Sequence, residues 1–167
     1  MRILSICLCL MCMPVLAGTL CKSSEKVVFS CQIKNTSEIA SVCSSSALTH
    51  DEGYLQYRYG TPRNVELVFP PTKRRTQSQF YWGKIIAYGG SDSELSFISG
   101  GYLYTLGIGG ESEEVNGISG GTYGGYIQIT KLGNDSNAPK ILDCAGTPRG
   151  PFELSNVVRD DAELIGR

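Results

Sequence analysis

Apolar residues in this chain recur at every second position, in short runs broken by glycine, proline and polar clusters. That is the signature of half-buried β-strands rather than amphipathic helices. From Lys26, the residues Val27, Val28, Phe29, Cys31 and Ile33 form one such run, and Glu38 to Cys43 forms its hairpin partner across Lys34-Asn35-Thr36-Ser37. The stretch Gly53 to Gly60 alternates strictly, with Leu55, Tyr57 and Tyr59 on one face and Tyr54, Gln56 and Arg58 on the other. Beyond the turn at Thr61-Pro62-Arg63-Asn64, Val65, Leu67 and Phe69 share a face opposite Glu66 and Val68, and Pro70-Pro71 ends that strand.

The strand character resumes at Phe80, Tyr81 and Trp82 and runs toward Tyr88, with Trp82 expected in the core. Leu95 and Phe97 alternate with Glu94 and Ser96. Tyr102, Tyr104, Leu106 and Ile108 do the same on the far side of a turn at Ser99-Gly100-Gly101. Tyr126 to Thr130 and Lys140 to Cys144 read as the last strands. Ser44 to Gly53 and Thr72 to Gln79 read as surface loops, the second mobile, and Glu111 to Gly121 as an exposed acidic, glycine-rich segment. Leu154, Val157 and Val158 sit at helical spacing, which points to a short C-terminal helix. The pattern predicts an all-β protein: a single-domain antiparallel β-sandwich or small barrel of about eight or nine strands.

The length of 167 residues fits one domain. Its first residues change where that domain is placed. Met1 and Arg2 precede an apolar run too short to span a bilayer, and Val15-Leu16-Ala17 has the small residue of a cleavage site, so residues 1–17 read as a secretory signal peptide and 18–167 as a single exported β domain. A lipid anchor at Cys21 is the alternative, although Leu20 is not the small residue that such anchoring needs. Of seven cysteines, Cys7, Cys9 and Cys12 fall in the signal, leaving Cys21, Cys31, Cys43 and Cys144. An even number in an exported domain reads as disulfides, and hence as a periplasmic or secreted protein. Of the three pairings allowed, the first hairpin favours Cys31 with Cys43, which leaves Cys21 with Cys144.

Without Arg2, the fifteen Lys and Arg fall to fourteen, against sixteen Asp and Glu. That balance argues against a nucleic-acid binder, which needs a dense basic face. No later segment is apolar enough for stable membrane insertion. His50 is the single histidine and lies in an ordinary loop setting beside Asp51 and Glu52, so a serine-hydrolase triad is not indicated. The acidic groups Asp92 with Glu94, and Glu111 with Glu113 and Glu114, lack EF-hand spacing. No cofactor, metal site or enzymatic activity is expected. A pair of catalytic carboxylates would reveal itself as two acidic side chains converging in a concave pocket.

What remains is a binding surface. Glycine pairs allow close approach to a partner, and neighbouring Tyr and Ser supply rigid contact area and adaptable hydrogen bonds. The order Phe29-Ser30-Cys31, Cys43, Gly53 to Gly60, Glu66-Leu67-Val68-Phe69-Pro70 and Glu94-Leu95-Ser96-Phe97 resembles a group of small exported proteins of Gram-negative bacteria that has no assigned activity. A narrower likeness is to periplasmic lysozyme inhibitors, small β proteins that present a Ser-Gly-x-x-Tyr or Ser-Gly-x-Tyr loop to the catalytic carboxylates of lysozyme. Ser119-Gly120-Gly121-Thr122-Tyr123 is similar to the longer form and Ser99-Gly100-Gly101-Tyr102 to the shorter. The resemblance implies a protein partner, a lysozyme-like cell-wall hydrolase, contacted by Ser119 and Tyr123 or by Ser99 and Tyr102. Lys73, Arg74 and Arg75 are candidates to meet its acidic residues. The alternatives are an immunity protein against a toxin from a competing bacterium, or an envelope binding module.

Overall fold

A computed structural model of the protein describes residues 18–87, 90–115, 118–133, 138–149 and 153–165. The expected signal peptide lies outside the described residues. The alternating runs become two sheets. In the first, β1 (Lys26–Gln32), β2 (Ile39–Ser44), β3 (Leu55–Thr61) and β4 (Asn64–Phe69) lie in chain order. The second has the order β10-β5-β6-β7-β8-β9, built from β5 (Tyr81–Ala87), β6 (Gly90–Ser99), β7 (Tyr102–Val115), β8 (Ile118–Lys131), β9 (Lys140–Asp143) and β10 (Arg159–Asp160). All neighbours are antiparallel except β10, which runs parallel to β5.

The sheets pack face to face as a sandwich, and neither closes into a barrel. Leu55, Tyr57, Leu67 and Phe69 of the first sheet meet Leu95, Phe97, Tyr104, Leu106 and Ile127 of the second. Phe97 is the hub: its ring lies 4.6 Å from Phe69, 4.9 Å from Tyr57 and Tyr104, and 5.6 Å from Phe80. Each such ring contributes about 1.5–3 kcal/mol by burial, with about 0.5–1.5 kcal/mol more for an aromatic pair. Trp82 packs, partly buried, against this core, opposite Leu95.

Ten strands form where about nine were expected. The tenth, β10, is two residues long and has no alternation to announce it. The acidic, glycine-rich segment Glu111 to Gly121, to which no strand was assigned, contributes residues 111–115 and 118–121 to strands: β7 and β8 are fourteen residues each and pair from Tyr102↔Lys131 out to Val115↔Ile118. The overlooked signal is Asn116-Gly117, the dipeptide most favoured in two-residue hairpin loops, flanked by β-branched Val115 and Ile118. Leu154, Val157 and Val158 do not form the expected helix. They make one turn, in which the Val157 and Val158 amides both donate to the Leu154 carbonyl, and the single helical turn α1 (Ala162–Ile165) follows β10.

The disulfides are Cys21–Cys43 and Cys31–Cys144, which overturns the expected pairing. In the hairpin register Cys31 faces Ala40 and Cys43 faces Val27, so the two cysteines are not opposite each other. Alternation also sends them to opposite faces of the first sheet. Cys31 points into the core and meets Cys144, where the chain leaves β9 and pairs with the β1 edge through Ile33↔Cys144 and Ser30↔Arg149. Cys43 faces outward and meets Cys21 in the segment that covers that side.

That outer face is the least ordinary part of the fold. Gln56 and Arg58 point away from the core on β3, yet they are only 3% and 6% exposed. Residues 18–25 lie over them. The Leu20 amide donates to Ser41 Oγ, Ser30 Oγ donates to the Gly18 carbonyl, and Arg58 Nη1 donates to the Leu20 carbonyl at 2.7 Å. The centre of this layer is Glu25, whose side chain is 1% exposed. Its carboxylate accepts from Arg58 Nη1 and Nη2 at 2.8 and 2.7 Å, from Lys73 Nζ at 2.6 Å, from the Tyr54 hydroxyl at 2.7 Å and from the Lys22 amide at 2.7 Å. Burial is the largest single influence on this carboxyl and opposes its charge. The hydrogen bonds from Arg58, Lys73, the Lys22 amide and Tyr54 together outweigh burial and hold the group well below the usual carboxylate range.

Two predictions follow from these ties. Opening Cys31–Cys144, which closes 113 residues, by a double Ala substitution is expected to cost about 5 kcal/mol, against about 3 kcal/mol for Cys21–Cys43, which closes 22. Urea unfolding under oxidising conditions measures both, and equal costs would contradict the loop-length argument. Because the Glu25 carboxyl is held below its unfolded value of about 4.3, its stabilisation is complete above that pH and is lost as pH falls below it. Glu25→Gln is expected to lose about 3–5 kcal/mol at neutral pH and to show a shallower loss of stability on acidification than the native protein.

Candidate functional site

The sequence candidates divide among three places. The first is the turn between β6 and β7. Gly100 and Gly101 adopt φ of 59° and 79°, the two positive values that a type I′ turn requires, and Ser99 pairs with Tyr102 directly beneath it. A side chain built at either glycine would meet nothing within 4 Å, so the turn stands clear of the rest of the molecule. It is nevertheless stiff, because its strands continue deep into the sheet and the Leu132 amide donates to the Gly101 carbonyl from the next strand over. Large apolar groups surround it. Ile98 is 39% exposed, Tyr102 38% and Leu132 42%. Lys131 faces Tyr102 across the β7–β8 pair.

The second place is β8, which carries Ser119 and Tyr123. The expected recognition loop is not a loop there: Ser119 pairs with Glu114 and Tyr123 with Gly110, within a continuous ladder. On β7 the partner of Tyr123, Gly110, is eight positions from Tyr102 and the partner of Ser119, Glu114, is twelve, so the two Ser-Gly strings are separated by roughly 27–40 Å along the strand. They cannot enter one cleft together. Tyr123, 57% exposed, instead lines an open depression of about 540 Å³ with Asp92, Tyr126, Asp143 and the backbone of Gly109, Gly110, Gly124 and Gly125.

Glycine shapes this depression. Gly107 is opposite both Glu94 and Tyr126, and a Cβ on it would lie 2.2 Å from Tyr126 Cζ. The missing side chain lets the tyrosine lie flat across β7 and donate its hydroxyl to Glu94 Oε1, two strands away. Burial, with the Glu94 hydrogen bond and charge, pushes the Tyr126 hydroxyl above the ordinary tyrosine range, so it is a neutral donor. Asp92 lies over Gly109 in the same manner. Two acidic side chains do therefore line one concavity. However, Asp143 is exposed and the concavity is open, whereas a carboxyl serving as general acid near neutral pH is normally enclosed in apolar surroundings. The flat ring, the carboxylates and the glycine floor suit contact with a ligand more than bond cleavage.

The third place is the 71–80 segment. It is not the mobile loop expected from its charges. Thr76 and Gln77 are 0% and 2% exposed, and Thr76 Oγ1 both donates to the Leu55 carbonyl and accepts from the Leu55 amide. Lys73 is committed to Glu25, with its ammonium over the Tyr54 ring at 4.8 Å. Arg74 and Arg75 remain exposed and, with Lys73, border a shallow depression that also holds Asp51 and Glu52. His50, exposed, bonds Asp51 through Nδ1 at 3.1 Å. Among the described residues no group of three or more His, Cys, Asp or Glu is placed to hold a metal ion, and no helix is long and apolar enough to cross a membrane.

Comparison of the chain with protein-family models, with functionally curated proteins and with solved structures finds no match in any of the three. Function is therefore argued from the residues alone. If Gly107 is required for the tyrosine's position, Gly107→Ala should cost about 1–3 kcal/mol through the clash, and Tyr126→Phe about 1 kcal/mol through the lost hydrogen bond. Urea denaturation of both variants tests this, and a neutral Gly107→Ala would show that the ring is free to move.

Proposed function

We propose that the protein is a non-enzymatic exported binding protein, periplasmic or secreted, that inhibits a cell-wall-degrading hydrolase such as a lysozyme. The carrying observation is the Ser99-Gly100-Gly101-Tyr102 turn, braced by the Leu132 amide and with open space where side chains at Gly100 and Gly101 would be, flanked by an exposed tyrosine and an apolar fringe. Such a turn enters a cleft without paying the ordering entropy of a flexible loop. The hydroxyls of Ser99 and Tyr102 are neutral hydrogen-bonding groups of the kind that can engage a catalytic carboxylate. Ile98 and Leu132 supply apolar contact around them, and Lys131 a positive charge. Ser119 and Tyr123 lie within the paired β7–β8 ladder and not on a tight turn, so the inhibitory contact is assigned to the first string and not the second. Two disulfides suit an oxidising compartment outside the cytoplasm. The likeness to exported proteins of Gram-negative bacteria points the same way.

The test is titration of the oxidised protein, Gly18 to Arg167, into lysis assays with lysozymes of several structural types. Loss of lysis is expected near an equimolar ratio, weakened roughly tenfold or more by Tyr102→Ala and left intact by Tyr123→Ala. Inhibition that survives the Ser99→Ala, Tyr102→Ala double variant rejects the turn as the contact. Absence of inhibition with every lysozyme type rejects the partner.

A further inference from the structure

The outer face of the second sheet presents two adjoining rows of residues. Asp92 is opposite Gly109 and Gly109 opposite Gly124, while Glu94, Gly107, Tyr126 and Asp143 form the neighbouring row. Residues opposite one another share a face. Leu95, Leu106, Ile108 and Ile127 alternate with them and fill the core, so both rows face away from it. Asp92, Gly109, Gly124, Tyr126 and Asp143 of these rows line the open depression of about 540 Å³.

Tyr126 makes the depression a platform. One face of its ring lies on Gly107, where a Cβ would be 2.2 Å from Cζ, and its hydroxyl is held by Glu94, so the other face is fixed and turned outward. Among the described residues no cation is stacked on that face. The π face of an aromatic ring attracts C–H groups, which carry partial positive charge. Gly109 and Gly124 continue the flat surface beside the ring, and a side chain built at Gly124 would meet nothing within 4 Å. The charged groups of the lining are two acceptors, the half-buried Asp92 carboxylate and the exposed Asp143 carboxylate. Neither is taken by an ion pair among the described residues. A ligand that fits is therefore flat and apolar on one side and carries donors round its edge.

A cation and a sugar each meet part of that description, and spacing separates them. A cation is held where rings or carboxylates converge on it. Here a single ring lies flush with the sheet, and the carboxylates stand apart. Asp92 lies over β7 and Asp143 belongs to β9, two strand spacings across and one side-chain repeat along, roughly 12 Å. They cannot share one charge. A pyranose with equatorial hydroxyls fits, because its axial C–H groups make a flat apolar face and its hydroxyls point outward round the ring. Two hydroxyls on opposite sides of the ring, each with its hydrogen bond, span about that distance. An O–H donated to a carboxylate is a strong hydrogen bond, whereas a sugar bearing its own carboxylate is repelled.

We propose that this depression binds a neutral hexopyranose, stacked on Tyr126 with its hydroxyls donated to Asp92 and Asp143. The site is distinct from the Gly100-Gly101 turn and does not depend on the inhibitor reading.

The test titrates methyl β-glucopyranoside, methyl β-glucuronide and choline separately into the oxidised, ¹⁵N-labelled protein. Chemical shifts of the Gly109, Gly124, Tyr126 and Asp143 amides are followed. The glucoside should give saturable shifts at millimolar concentration. The glucuronide, which differs only in its carboxylate, and choline, which brings a cation without hydroxyls round a ring, should bind at least roughly tenfold more weakly. Gly124→Leu fills the floor from a position with open space above it, so the variant should fold and bind the glucoside at least roughly tenfold more weakly. Asp143→Asn, at an exposed residue, should weaken binding roughly fivefold. Absence of saturable shifts with the glucoside, equal or tighter binding of the glucuronide or of choline, or unchanged affinity in both variants overturns the proposal. Because lysis is not the readout, failure here is distinguishable from failure of the turn.

Discussion

The Glu25 carboxylate is the tie on which the arrangement of the loops depends. A buried ion is costly unless its lone pairs are filled, and here the donors come from Arg58 on β3, Lys73 in the 71–80 segment, Tyr54 before β3 and the backbone of Lys22. One group thus fixes three regions that are far apart in the chain. Arg58 in turn donates Nε and Nη2 to Gln56 Oε1, and Gln56 Nε2 donates to the Pro70 carbonyl, so the network reaches the point where the chain leaves the first sheet. Lys73 anchors one side of Arg75 and buried Thr76 the other. That double hold keeps Arg75 in a left-handed conformation against its intrinsic preference.

Glycine serves two different physical needs in the second sheet. At Gly100 and Gly101 it supplies positive φ for a tight turn that projects from the molecule. At Gly107 and Gly109 the backbone is ordinary strand, and what matters is the absent Cβ, which lets Tyr126 and Asp92 lie across the strand. The same residue type therefore builds a protrusion at one end of β7 and a flat-floored concavity further along it. A protrusion suits a partner's cleft and a concavity suits a ligand, which is why the two parts of this sheet receive separate functional readings.

The class of fold was legible because alternation over Gly53–Gly60, Val65–Phe69 and Tyr102–Ile108 is a local property that burial on one face imposes. The face assignment of β3 was also legible, since Leu55 and Tyr57 are in the core. Gln56 and Arg58 lie on the opposite face as expected, but that they are covered was not legible, because nothing local shows that residues 18–25 return over the sheet. The disulfides failed for a related reason: proximity in a hairpin is set by register and face, and Cys43 lies three positions from Ala40, the partner of Cys31, and so on the other face of the sheet. Glu111 to Gly121 was misread because acidic residues and glycine are poor strand formers by propensity, while pairing along a long hairpin overrides propensity. The platform at Tyr126 had no local signal, since its lining comes from four strands that only the tertiary fold places side by side.

The position of the turn bears on how a partner would be engaged. β5 begins beside the end of β6, through Tyr81↔Ser96, so the Gly100-Gly101 turn projects from the end of the second sheet at which the 71–80 segment enters it. The β10 pairing Arg159↔Tyr81 is at the same end. A partner seated on the turn would thus approach from the side that also carries Arg74 and Arg75, while the long β7–β8 ribbon extends away from it. Affinity on such a surface would come from Tyr102, Ile98 and Leu132, which are apolar and already held in place, and the arginines would mainly steer approach and select acidic partners. The fold spends its buried charge on fixing that end of the sandwich, so recognition there can rely on preorganised groups rather than on loops that must order themselves on contact.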